Sequence, residues 1–476
     1  MSTAGSGDWP DGVADVLIVG AGVVGTAIAR TLAGYELSCL LVDAANDVGT
    51  GTSKANTAIL HTGFDAEPGS LESRLLRRGS LLLAGYARQA GIPVERTGAL
   101  LVAWTPEQQA ALPGIADKAR RNGVTDLRPR TSAELYQAEP HLGPGARAGL
   151  LIPGESIICP WTTTLAYATE AVRAGVRLLL GTQVLDVLAG PEEHVVRTSR
   201  GPLRSRWLIN AAGLYSDEID RMLGAGSFTI TPRRGELIVF DKLARPLLSS
   251  ILLPVPTART KGVLIAPTVY GNVLLGPTAE DVPDRTGTAT TAAGLASLMD
   301  AGRRLMPELV AEEITATYAG LRAATEHRDY QIRVDGKLRY ACAGGIRSTG
   351  LSASLGIAEY LTGQLGAAGL KLTGRDTAGP PAMPYIGQAG PRPYQDAARI
   401  AADPEYGRIV CHCERVTRGE IRDALAAALP PADLDGLRRR TRAGNGRCQG
   451  FYCAAAVSGL LAPGQAGLAG PGGAGR

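Results

Sequence analysis

Residues 15–25, DVLIVGAGVVG, decide the architecture of this chain. The run DVLIVG at 15–20 is almost wholly apolar, as a strand buried on both faces of a parallel sheet must be. Gly20, Gly22 and Gly25 form G-x-G-x-x-G directly after it, and a helix is expected from Val23 through Val24 to about Leu32. The next apolar run, LSCLLVD at 37–43, reads as a second parallel strand closed by Asp43, 18 residues beyond Gly25. Strand, glycine turn, helix and strand make a βαβ unit. Its chemistry is nucleotide binding. The glycines give a tight turn, close approach of backbone to a pyrophosphate and tight helix–sheet packing, while the acid accepts from a ribose hydroxyl. NAD and FAD both meet these terms.

Outward from this unit the pattern stays α/β. Residues 70–91 read as a helix with Leu71, Leu75, Leu76, Leu82 and Leu83 near one face, and residues 105–148 as a Pro-punctuated insertion. A helix at 162–174 is followed by strands near 176–180, 184–188 and 194–198. RWLINAAG at 206–213 returns to strand-then-glycine. Short runs between 229 and 280, among them ELIVF, VLIAP and NVLLG, predict an antiparallel sheet. Further helices are expected at 291–305 and 352–369, with a strand at 338–345. Residues 376–404 are rich in Pro, Gly and Ala and read as a linker, 405–463 as a separate unit, and 464–476 as a low-complexity, disordered tail.

A chain of 476 residues requires two or three domains, and 45% apolar residues suffice for a real core. The formal net charge of +4 is nearly balanced, which argues against nucleic-acid binding. The first twelve residues lack a basic export signal and no apolar run approaches a membrane span, so a cytoplasmic location is expected, with membrane contact only through a partner.

Cys411 and Cys413 form C-x-C, and Cys448 and Cys453 form C-x-x-x-x-C, with 34 residues between the pairs. Four thiolates with no histidine in the pattern suit a soft metal centre: a [2Fe–2S] cluster takes such a set, and structural zinc is the rival. Cys39, Cys159 and Cys342 stand alone in apolar surroundings and are expected as buried free thiols.

Several stretches carry a family resemblance: VLIVGAGVVGTAIAR, SKANTAILHTGFDAEPGSL, LINAAGLYSDEI, PRRGELIVFD, APTVYGNVLLGPTAED, YAGLRAAT and AGGIRSTGLSAS. Through them the first 375 or so residues resemble FAD-dependent oxidoreductases of the D-amino-acid-oxidase superfamily, within it the glycerol-3-phosphate dehydrogenase and L-2-hydroxyglutarate dehydrogenase group. DPEYGRIVCHCERVTRGEI and RRRTRAGNGRCQGFYC resemble the bacterioferritin-associated-ferredoxin-like [2Fe–2S] domain. The resemblance implies FAD, with a Rossmann-like FAD-binding domain of the glutathione-reductase type (about 13–75, 150–225 and 320–375) interleaved with an antiparallel-sheet substrate domain (about 76–149 and 226–319), then a small helical cluster domain. It further implies flavin contacts from Ser53, Asn56 and Thr57, from Val184 near the adenine, from Ala212 and Gly213 near the pyrophosphate, and from Gly345, Ile346, Thr349, Gly350 and Leu351 at the far edge of the ring. The chain departs from the family pattern at Thr57 and Ala58, where Ser and Gly are common, and at Thr349, where proline is common.

Oxidising an alcohol requires a group that takes the hydroxyl proton, and His61 in AILHTGF is the candidate, since a neutral imidazole can do so near pH 7. An anionic substrate calls for cations. Arg322 in GLRAAT and Arg347 in GIRST are the leading candidates; Lys54 and Arg234 are weaker ones. The expected function is oxidation of a small anionic 2-hydroxy compound, first glycerol 3-phosphate and second L-2-hydroxyglutarate, with electrons leaving through the cluster to a partner subunit or quinone. Two other readings stand beside it: an amine or imino-acid dehydrogenase subunit, and a non-catalytic electron-transfer scaffold. The basic run Arg438 to Arg442 reads as a solvated helix end, with tuning of the cluster or docking of an acidic partner as the alternatives.

Overall fold

The computed structural model describes residues 12–256 and 262–461; the tail expected at 464–476 and the first 11 residues lie outside these. Two compact units form, one spanning Val13–Met383 and the other beginning at Pro384.

The first unit is built on a sheet whose parallel heart runs Tyr340–Gly344, Gly201–Asn210, Val13–Val19, Cys39–Val42, Arg177–Leu179. Antiparallel strands extend it: Val184–Ala189 and His194–Thr198 beside Gly201–Asn210, and Gln331–Asp335 beside Tyr340–Gly344. Val16, Leu17 and Ile18 have no exposed surface, as expected of a strand covered on both faces. The helix Val23–Leu32 follows and packs against helices Pro160–Arg173 and Gly350–Ala367. The glycine turn is sterically enforced. Gly20 has φ +107°, and a Cβ there would lie 2.4 Å from the Ala211 carbonyl oxygen; one at Gly25 would lie 1.8 Å from that of Gly20.

The second sheet runs Glu280–Asp281, Thr231–Phe240, Val273–Gly276, Leu264–Pro267, Ile251–Pro254, Ala99–Ala103, Ala148–Ile152, Arg128–Thr131, with Ile314–Ala324 also paired to Thr231–Phe240. It is antiparallel as expected, except that Ile251–Pro254 runs parallel to Ala99–Ala103. The stretch 105–148 is part of this layer rather than an irregular insertion. It supplies helices Pro106–Arg121 and Ser132–Ala138 and the strand Arg128–Thr131, and Leu135 and Leu142 enter a core with Ile238, Phe240 and Leu275.

Helix Leu71–Ala90 belongs with the nucleotide layer, although most of it falls in the part expected to belong to the substrate domain. It lies against Gly350–Ala367 so closely that a Cβ at Gly79 would be 2.5 Å from the Ser352 carbonyl oxygen, and one at Gly356 would be 2.3 Å from that of Leu75. A small three-stranded sheet, Ile59–Leu60, Ser156–Ile158 and Val94–Glu95, completes the unit.

The second unit has a short hairpin, Ile409–Cys411 with Val416–Thr417, and helices Arg418–Leu425, Leu434–Thr441 and Ala454–Leu461. Its core joins Val416, Ile421, Leu437 and Val457 to Cys411 and Cys453. Part of the stretch read as linker folds here. Helix Ala397–Ala402 forms, and Arg392, 2% exposed, bonds Glu420 at 2.8 Å. No helix among the described residues is long and apolar enough to cross a membrane.

Candidate active site and cluster centre

The expected nucleotide residues converge at the carboxyl ends of the parallel strands, where open α/β sheets bind ligands. Asp43, just after Cys39–Val42, accepts from the N–H of Ala21 at 2.6 Å and of Ala45 at 2.8 Å, each on a different oxygen. Burial raises its pKa, and those two N–H groups oppose the rise. Each oxygen retains a lone pair for a further donor. Ser53 Oγ accepts from Val23 N at 2.9 Å and so sits at the amino end of the first helix, where Gly22 offers no side-chain cap. Asn56 donates to the Ser53 carbonyl and accepts from Ala58 N at 2.8 Å, which holds Ala58 at φ +56°. That left-handed φ is one that glycine adopts without strain. Thr57 lies within the same turn. Ala212 and Gly213 follow Gly201–Asn210 beside the Gly20 turn. The segment leading to Val184 is tied to the acid turn by Thr182 N on the Asp43 carbonyl at 2.7 Å.

At the far edge Gly345 has φ +61°, and Ile346 and Val24 are the nearest neighbours of Gly350. Leu351 lies in the first turn of Gly350–Ala367, and Thr349 precedes that helix without a side-chain cap bond to it. The Thr349 hydroxyl bonds Glu72 at 2.7 Å and Tyr330 at 2.6 Å, a network that proline could not make.

His61 follows the strand Ile59–Leu60. Leu60 pairs with Ser156, so the antiparallel register sets His61 opposite Glu155. The His61 Nδ1 lies 2.9 Å from Glu155 Oε2, while Glu155 Oε1 accepts from Thr62 N at 2.7 Å and from Thr62 Oγ1 at 2.8 Å. Glu155 is completely buried and the His61 side chain is partly exposed. Ser352 Oγ accepts from His61 N at 2.9 Å, joining this segment to the start of Gly350–Ala367.

The four candidate cations differ sharply. Arg347 forms an ion pair with Glu72 at 2.5 Å; Arg234 pairs with Glu280 at 2.5 Å and Glu236 at 3.4 Å. The carbonyl of Lys54 accepts from Trp161 Nε1 at 3.0 Å, and Trp161 stacks on Tyr270. Arg322 donates to the Thr278 carbonyl at 2.7 Å and, at 3.5 Å, to those of Arg233 and Arg234, with no carboxylate in ion-pair contact among the described residues. Asp281, its nearby acid, is bonded to Arg233 at 2.6 Å. Burial, with the Arg233 charge second, draws the Arg322 pKa down to about 10, so it stays cationic at neutral pH. Along Ile314–Ala324 alternate residues share a face. Tyr318 donates to the Asn56 carbonyl at 2.7 Å, and a Cβ at Gly320 would meet the Ala55 carbonyl oxygen at 2.1 Å. Arg322 therefore lies on the face turned to the 52–57 loop.

Sequence reading missed Glu155, Thr62 and Glu72. A lone Glu in PGES carries no pattern of its own; only the pairing of two short strands makes it a neighbour of His61.

In the second unit the four cysteines come together from two loops. Cys413 meets Cys448, and Cys411 meets Cys453, sulfur to sulfur. No group of three or more His, Cys, Asp or Glu side chains among the described residues has single-ion geometry. The cradle fits a cluster in other respects. Gly444 N donates to Cys411 Sγ at 3.4 Å, and a Cβ at Gly446 would lie 2.3 Å from that of Cys413. The main-chain N–H of Tyr452, then Cys413, Gly450 and Phe451, hold the Cys448 thiol below its ordinary range, whereas burial raises Cys413 and pushes Cys453 up to about 11. The basic run is not a solvated helix end throughout. Arg439, Arg440 and Arg442 are buried, Arg439 on Asp435, Arg440 on the carbonyls of Leu429 and Gly436, and Arg442 on Glu414 at 3.1 Å.

A dinucleotide cradle, a histidine–carboxylate couple and a four-cysteine centre define a flavoprotein oxidoreductase with an iron–sulfur outlet. The FAD dependent oxidoreductase family matches residues 15–364 and the BFD-like [2Fe-2S] binding domain matches 409–463. The chain belongs to the FAD dependent oxidoreductase family, and its cofactors are FAD and a [2Fe–2S] cluster. It is 34% identical to the glycerol 3-phosphate dehydrogenase of Caloramator mitchellensis, over 94% of each chain. The mitochondrial L-2-hydroxyglutarate dehydrogenase of Bos taurus is 29% identical over 56% of this chain and 60% of its own. The dithionite-reduced, FAD-bound L-alpha-glycerophosphate oxidase from Mycoplasma pneumoniae superposes with a TM-score of 0.74 at 29% identity, covering 79% of this chain and all of the other.

Proposed function

We propose that the chain oxidises sn-glycerol 3-phosphate to dihydroxyacetone phosphate and passes the electrons through its [2Fe–2S] centre to a partner or quinone. The observation that carries this is Arg322, a partly buried guanidinium with only carbonyls as partners among the described residues, on the face turned to the flavin loop. An anion is the ligand such a cation lacks, and phosphate or carboxylate accepts from it bidentately. The glycerol 3-phosphate relatives favour phosphate. FAD, when bound, supplies the hydride acceptor. His61 takes the proton of the secondary hydroxyl, so the C–H pair leaves as hydride, the O–H bond becomes C=O, and no further reactant is needed. Asp43, Ser53 and the first helix hold the dinucleotide; Arg347, its charge shared with Glu72, has a secondary role at the substrate.

The electron acceptor is a protein or a membrane-bound partner meeting the cluster loop. Phe451 and Tyr452, 83% and 79% exposed, lie between the ligand cysteines Cys448 and Cys453, beside exposed Arg447. Such an aromatic, basic tip suits an acidic partner. A cytoplasmic location, at a membrane through that partner, follows from this reading.

The test is an anaerobic absorbance titration of iron-replete protein. Bleaching of the flavin by sn-glycerol 3-phosphate, with electrons then reaching the cluster, is expected. Bleaching by L-2-hydroxyglutarate alone would transfer the site to a dicarboxylate, and bleaching by amines alone to the amine reading. Dithionite reduction with no response to any substrate would leave the scaffold reading.

A further inference from the structure

We infer that Glu155 is a positioning residue for the reaction, fixing the tautomer of His61 and steadying the charge it acquires. This rests on His61 as the base. A carboxylate only accepts hydrogen bonds, so the 2.9 Å contact makes Nδ1 the protonated nitrogen and puts the ring's lone pair on Nε2, the atom that takes the substrate proton. Thr62 anchors the other oxygen twice, through its N–H and its hydroxyl, so the carboxylate cannot swing away. Glu155 is fully buried and its carboxylate lies directly against the imidazole. When His61 takes up the proton, the new positive charge lies against a fixed negative one in a low-dielectric site, where such a pair is strongest. A buried acid used only for packing would need no basic partner at the reacting edge of the site.

Three charged or polar features thus act in series: Thr62 holds Glu155, Glu155 holds His61, and His61 receives the proton. Asn in place of the base would leave Glu155 with nothing to orient, and the two substitutions should not add.

The test is anaerobic stopped-flow flavin reduction by sn-glycerol 3-phosphate in wild type, Glu155→Gln, His61→Asn and the double variant, each checked for FAD content and melting temperature. Glu155→Gln is expected to slow reduction by about 100-fold, the scale of a lost base, with KM little changed. Its acidic pH limb should move down, because removing a neighbouring negative charge makes imidazolium easier to deprotonate. The double variant should be no slower than His61→Asn. A Glu155→Gln rate equal to wild type, an unmoved limb, or a double variant slower by the product of the two factors would overturn the inference. His61→Asn as fast as wild type would instead overturn the reading of the site. Should Glu155→Gln fail to retain FAD, Thr62→Val keeps the charge and removes one anchor. A several-fold slower rate at unchanged KM supports the inference, and an unchanged rate overturns it.

Discussion

Arg322 and Arg347 look alike in the sequence, each between small residues in a segment near the flavin. One carboxylate separates them. Glu72, 275 positions from Arg347, neutralises it, while Arg322 has only carbonyls among the described residues. Nothing local encodes that difference, which is why the sequence nominates both, with Arg322 first. Arg322→Met is expected to lower kcat/KM for sn-glycerol 3-phosphate by roughly 10- to 100-fold, the scale of a lost hydrogen bond of about 1.5–3 kcal/mol to a charged group. Activity on neutral glycerol should barely change, and steady-state kinetics on the two alcohols tests this. Ala58 offers a prediction of opposite sign. It holds a left-handed φ that costs an L-residue about 1–2 kcal/mol, so Ala58→Gly should raise the melting temperature without loss of FAD. A fall in melting temperature would show that Asn56 has already relieved the strain.

Elements were legible where their signals were local. The βαβ unit follows from apolar runs, three glycines and an acid within 30 residues, and its geometry matches: the Gly20 and Gly25 positions exclude any side chain. The antiparallel layer was legible from short apolar runs between turns. Helix Leu71–Ala90 was legible as a helix but not as a member of the nucleotide layer, since membership depends on the crossing of Gly79 with Gly356. Neither glycine has a sequence signature, because the close approach joins positions far apart in the chain. Gly356→Ala places a methyl group 2.3 Å from the Leu75 carbonyl and forces the helices apart. A loss of about 1–3 kcal/mol, the ordinary cost of overpacking, is expected, with weaker FAD retention because the same helix opens at Thr349 and Gly350. Thermal unfolding and flavin release during gel filtration would register both effects.

At the scale of the whole molecule, chemistry and electron exit occupy separate compact units. Cys411→Ser should therefore abolish the cluster's absorbance and EPR signal while flavin bleaching by substrate proceeds at its usual rate. Turnover with a one-electron acceptor should collapse. If bleaching also slowed, the two centres would be coupled before the electrons leave the flavin. The cysteine spacing leaves a cluster and zinc both open, and the family resemblance favours the cluster; the burial of Arg439, Arg440 and Arg442 was not legible, since a run of arginines reads as a wet surface until their partners are known.

Cys411 and Cys453 are core residues of the second unit as well as proposed cluster ligands. So small a core is expected to need the metal for folding, as other small metal-held domains do. A cell starved of iron would then make a chain whose flavin half is complete and whose exit half is open to proteases. Nutrient supply would set the amount of working enzyme through protein turnover, with no dedicated regulator. Limited proteolysis of iron-depleted protein should clip beyond Pro384 and spare the flavin-bearing fragment.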